Sequence, residues 1–192
     1  MIKLVATVLL LLTPQLAAAD APPRIDACAL LGAAQIGKVI GHPVDAGVRR
    51  DAGLESNGAW SSSCVWTLTA ERAAPKNPAA PLGGRSFVIL NAMQWPVGSG
   101  RAHEFLDSFR EAAAKGVIAS APRPRKFGDE ALWWGDGLAV RVRDVSFGLS
   151  IHLPRSPPAQ PGMWEERLAP LVLHEIDRRD PLLARNADLE RL

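Results

Sequence analysis

Apolar and polar residues alternate along residues 127–153 with a period of two. Leu138, Val140 and Val142 fall on one side while Arg141 and Arg143 fall on the other, the pattern of a strand with one wet face. The same period returns in Val145, Phe147, Leu149, Ile151 and Leu153, with Ser146, Gly148, Ser150 and His152 between them. Gly135-Asp136-Gly137 tolerates positive φ and predicts a hairpin link from residues 131–134 to the next strand. Asp144 marks a second, tighter reversal, and links this short force antiparallel pairing. Upstream, Trp60, Ser62, Cys64, Trp66 and Leu68 share one face, and residues 87–93 are apolar on both faces, as in an interior strand.

Between these stretches the period lengthens to that of a helix. Asp26 offers an N-cap acceptor ahead of Ala27-Cys28-Ala29-Leu30-Leu31. Ile36, Val39 and Ile40 then lie on one face of a short second helix that Gly41 stops. Residues 101–115 carry the longest such stripe: Ala102, Phe105, Leu106, Phe109, Ala112 and Ala113, with Glu111 and Lys115 spaced as an ion pair. After a proline-rich linker, residues 154–162, Met163–Arg179 reads as a final helix with Trp164, Leu168, Leu171, Val172 and Ile176 inward. Pro170 is expected to kink it or to mark its start. Residues 45–57 read as a loop with at most one weak strand, residues 71–84 as a loop, and residues 119–126 as a crossing back to the sheet. The pattern predicts an α+β fold: an antiparallel sheet of about five strands with helices packed on one side, forming one domain over residues 20–192.

Residues 1–19 read as a signal peptide. Lys3 is the charged start, residues 5–12 are a short apolar core, and Ala17-Ala18-Ala19 is a small-residue cleavage pattern. That core is too short for a permanent span and no later stretch is long and apolar enough, so no membrane span is expected. A periplasmic or secreted location follows, and with it a meaning for the two cysteines. In an oxidising compartment an even count points to a bridge, here Cys28 with Cys64; the alternative is two buried thiols. The 192-residue chain has a net charge of +2, Lys3 included, too near neutral for a dedicated nucleic-acid binder.

Candidate chemistry is sparse. Residues 32–39, GAAQIGKV, match the first part of a phosphate loop, but Val39 stands where a magnesium-binding hydroxyl is needed and no strand precedes the loop. His42, His103, His152 and His174 lack paired metal-ligand spacing, so neither metal nor cofactor is expected. Ser61-Ser62-Ser63 reads as strand hydroxyls, with no nucleophile elbow around it. The corner FGDEALWW, residues 127–134, remains. Asp129 and Glu130 are adjacent, so an extended backbone would aim them to opposite sides, and Asp129 in a turn is suited to binding nearby amides. Trp133 and Trp134 also face opposite ways: one belongs in the core, and the other is a candidate stacking surface. Arg141 and Arg143, with Arg123, Arg125, Lys126 and Arg155, make a candidate basic patch whose blander reading is solvated strand charge.

The order Asp26-Ala27-Cys28-Ala29-Leu30-Leu31, then Ser63-Cys64-Val65-Trp66, then FGDEALWW and a closing hairpin resembles small exported bacterial proteins whose domains have no assigned function. Lys126 replaces the first glycine of their G-x-G-D-E-A corner. The resemblance spans roughly residues 26–153 and implies a PsbP-like or similar α+β sandwich, without catalytic residues to carry over. The expected function is a non-catalytic periplasmic domain that binds a protein or small molecule of the envelope through Asp129, Glu130, Trp133, Trp134, Arg141 and Arg143. The alternative is an envelope-associated accessory hydrolase using Asp129 or Glu130.

Overall fold

The computed structural model describes residues 24–71, 85–153 and 160–179. The expected signal peptide, most of the linker and Arg155 lie outside them. In chain order the elements are α1 (Ala27–Leu30), α2 (Ala33–Ile40), β1 (Val48–Arg49), β2 (Gly53–Leu54), β3 (Trp60–Thr67), β4 (Phe87–Gln94), α3 (Glu104–Ala114), β5 (Arg123–Arg125), β6 (Glu130–Trp133), β7 (Leu138–Val142), β8 (Val145–His152) and α4 (Met163–Arg179). The strands form one eight-stranded antiparallel sheet in the order β1-β3-β4-β8-β7-β6-β5, with β2 also paired to β3.

The fold is α+β, as the periodicities predict, with three strands more than expected. The additional ones are β1, β2 and β5, each of two or three residues. None is long enough to show an alternation of its own; each exists because β3 or β6 offers it backbone partners.

Register aligns the apolar positions into rows. Cys64 pairs with Leu90, Leu90 with Leu149, Leu149 with Leu138, and Leu138 with Trp133, so one row crosses five strands. The next row, Ser62, Ala92, Phe147, Val140 and Ala131, runs beside it. Together they floor the main core, which α1, α2 and α4 roof with Leu30, Ile36, Ile40, Leu168, Val172 and Ile176. Burial of apolar area on this scale is the largest favourable contribution to the fold.

Caps place the roof. Asp26 accepts the Cys28 N–H at 3.0 Å and starts α1, while the Ala27 N–H donates to the buried Ser62 hydroxyl at 2.9 Å. Cys28 and Cys64 are disulfide-bonded with their Cα atoms 5.0 Å apart, stapling α1 to β3. Gly41, at φ 77°, closes α2 in the left-handed region. At the other end of the chain, Arg179 donates to the Ala29 carbonyl at 2.8 Å and ties the last turn of α4 to α1. Pro170 lies inside α4, which runs unbroken from Met163 to Arg179.

The helices do not all lie on one side. α3 covers the opposite face: Leu106 packs with Leu132 and Ala139, and Phe105 and Phe109 join Trp134 there. The reason is side-chain size. On that face β7 and β8 present Ala139 and Gly148, and a Cβ added at Gly148 would lie 3.0 Å from the Phe105 ring. The small residues leave a shallow seat that the aromatic stripe of α3 fills.

Candidate binding surface

The corner between β5 and β6 is set by Gly128, which takes φ 56° and lies so close to the Arg141 carbonyl that a side chain would collide with it. Asp129 follows. Its N–H donates to the Arg141 carbonyl at 2.8 Å, and its Oδ2 accepts from the Arg143 N–H at 2.6 Å and the Arg141 guanidinium at 3.1 Å. The amide-binding role expected of Asp129 is therefore present. Glu130 opens β6 opposite Arg141, accepts a hydrogen bond from Arg110 of α3, and stands 3.5 Å from the Arg141 Nε.

The two adjacent carboxylates do not point apart. Asp129 precedes the strand, where the turn is free of strand alternation, so both reach the Arg141 guanidinium. From this point ion pairs extend to both faces. Arg110 also binds Asp107 at 2.5 Å, and its hydrogen bond to Glu130 is the foremost influence raising its pKa above the usual range. Arg143 donates to Asp177 of α4 at 2.9 Å. The corner thus joins α3 on one face and α4 on the other to the β6–β7 hairpin.

Neither tryptophan is an open stacking platform. Trp133 is buried in the main core, and Trp134 is half-buried under α3, stacked on Phe109 with ring centroids 4.3 Å apart. The basic patch is divided as well. Arg141 and Arg143 are engaged at the corner, and Arg125 pairs with Glu166 at 2.6 Å.

Two open recesses lie elsewhere. One, of about 570 Å³, follows the small-residue face of α2 and the turn after it, with Lys38 and His42 at its margin. The other, of about 590 Å³, lies between the end of β5 and the start of α4, lined by Arg125, Phe127, Gln160, Met163, Glu166 and Arg167. Among the described residues no cluster of three or more His, Cys, Asp or Glu side chains is placed to hold a metal ion, and no helix is long and apolar enough to cross a membrane.

Sequence reasoning passed over one further group. Glu165 is 3 % exposed and accepts the Ile151 N–H at 3.0 Å, in the part of β8 that extends past its last pair with β7. Burial pushes its carboxyl up to about 7, against the pull of hydrogen bonds from its own N–H and that of Ile151. The signal was present in the spacing: residues 165, 168, 172 and 176 make one helical stripe, with a glutamate where an apolar residue would be expected. No family model matches this chain, and no curated protein or solved structure matches it.

Proposed function

We propose that the protein is an exported binding or interaction domain without catalytic activity, working in the periplasm or outside the cell. The observation that carries this reading is the commitment of Asp129 and Glu130 to Arg141, Arg143 and Arg110. A general acid or nucleophile needs a free oxygen facing a substrate recess. Instead Asp129 Oδ2 and Glu130 Oε1 hold elements together, and neither residue lines a recess. The recesses are shallow and open, and Glu166, the carboxylate in the larger one, is paired with Arg125. The Cys28–Cys64 bridge supports an oxidising compartment.

Incubation of the purified protein with an isolated envelope fraction tests the reading. Saturable co-sedimentation without release of soluble products is the expected result. Product release that vanishes in D129N or E130Q would overturn it in favour of a hydrolase.

A further inference from the structure

The described arginines and lysines are mostly occupied. Arg49, Arg101, Arg110, Lys115, Arg125, Arg141, Arg143, Arg178 and Arg179 make ion pairs, and Arg24 lies over Trp60. Lys38, Arg50, Arg123, Lys126 and Arg167 make no ion pair among the described residues, and two of these, Arg123 and Arg167, border one recess. Arg167 lines the recess between β5 and α4. Arg123 is two residues from Arg125 on β5 and so projects to the same side of the strand. The floor adds Phe127 and Met163, both half-buried.

We propose that this recess is the docking site for an acidic segment of a partner protein, with carboxylates drawn to Arg123 and Arg167 and an apolar side chain resting against Phe127 and Met163. It rests on the binding reading above and gives that reading a site and a partner chemistry. Unpaired cations around a concavity raise the local concentration of an anionic partner and fix its orientation. The Arg125–Glu166 pair already balances its own charge, so the surplus is positive.

The partner does not add a strand. Pro124, opposite Leu132, is the middle residue of the edge strand β5. Proline has no N–H to give, and its carbonyl already accepts from the Arg125 guanidinium at 3.0 Å. Recognition must therefore run through side chains. A membrane surface fits less well, because the recess is concave. The large exposed apolar residues, Val48, Leu54, Val97 and Val117, also lie on other elements.

The test is fluorescence anisotropy of the full-length mature protein with a labelled peptide of alternating glutamate and leucine. Binding that weakens with added salt, and by on the order of tenfold in R123E/R167E, is expected, while R50E at the opposite sheet edge leaves it unchanged. Equal binding by R123E/R167E and the unchanged protein would overturn the proposal. So would preferential, arginine-dependent binding to vesicles of equal parts phosphatidylglycerol and phosphatidylcholine, which would assign the cations to a lipid surface. Failure of the peptide to bind while the protein still co-sediments with the envelope fraction removes this site but leaves the broader binding reading standing.

Discussion

The two faces of the sheet are covered by different means. On one, three helices close over Leu90, Leu138, Val140, Phe147 and Leu149, all fully buried, and a disulfide anchors the roof. On the other, a single helix rests on Gly148, Ala139 and Leu132 through Leu106 and two aromatic rings, Phe105 and Phe109. Its side is secured by Glu130 to Arg110, an ion pair about half open to solvent. Alternating residues of the same strands build both, so the contrast comes from what each parity supplies. Large aliphatic residues on one parity make a deep core that excludes water. Small residues on the other leave only room for rings to lie flat, and the helix there is retained by shape and surface charge.

Covalent loss should separate the faces most. C28S/C64S removes closure of a loop with sequence separation 36 and is expected to cost about 4 kcal/mol, read as a lower urea midpoint. Hydrogen exchange should rise in α1 and β3 while α3 keeps its protection. Equal loosening of both faces would show that they unfold as one unit.

Next in size is a pH effect confined to the helix-rich face. The Glu165 carboxyl is raised from 4.5 to about 7 in the folded chain, so between those values the folded state holds more protons than the unfolded state. Stability is therefore expected to fall as pH rises through this window and to level off above it, by on the order of 3 kcal/mol. E165Q keeps an oxygen for the Ile151 N–H and should flatten the profile. A slope unchanged in E165Q would assign the titration to another group.

A smaller loss, about 1 to 3 kcal/mol, is expected for G148V, which fills the seat of Phe105. Exchange should rise in α3 with α1 and α4 unaffected, the mirror image of the disulfide variant. The smallest effect belongs to E130Q, expected to cost below about 1 kcal/mol because an exposed ion pair is screened by solvent. A loss as large as that of G148V would mean that charge, rather than ring packing, holds α3.

Much of this contrast could be read from the residues. The period of β7 and β8, the stripe of α4 and the cap at Asp26 follow from local chemistry, and each stands where that chemistry puts it. The side taken by α3 was not legible in its own stripe, which reads alike for either face; it depends on Ala139 and Gly148, distant in sequence. The corner misled for a related reason. Alternation would send Asp129 and Glu130 to opposite sides, but Asp129 stands one residue before β6 begins, and the turn at Gly128 bends both carboxylates toward Arg141. The recess between β5 and α4 was hidden because its two walls are about forty positions apart and β5 has too few residues to announce itself.

The hydrogen bond from Arg179 to Ala29 spans 150 positions, which gives the fold a schedule as well as a shape. The roof over the first strands is complete only when the final helix has emerged, so early segments must wait with their apolar rows uncovered. Native contacts this remote close slowly. A core that is completed only when α4 docks stays open until late in folding.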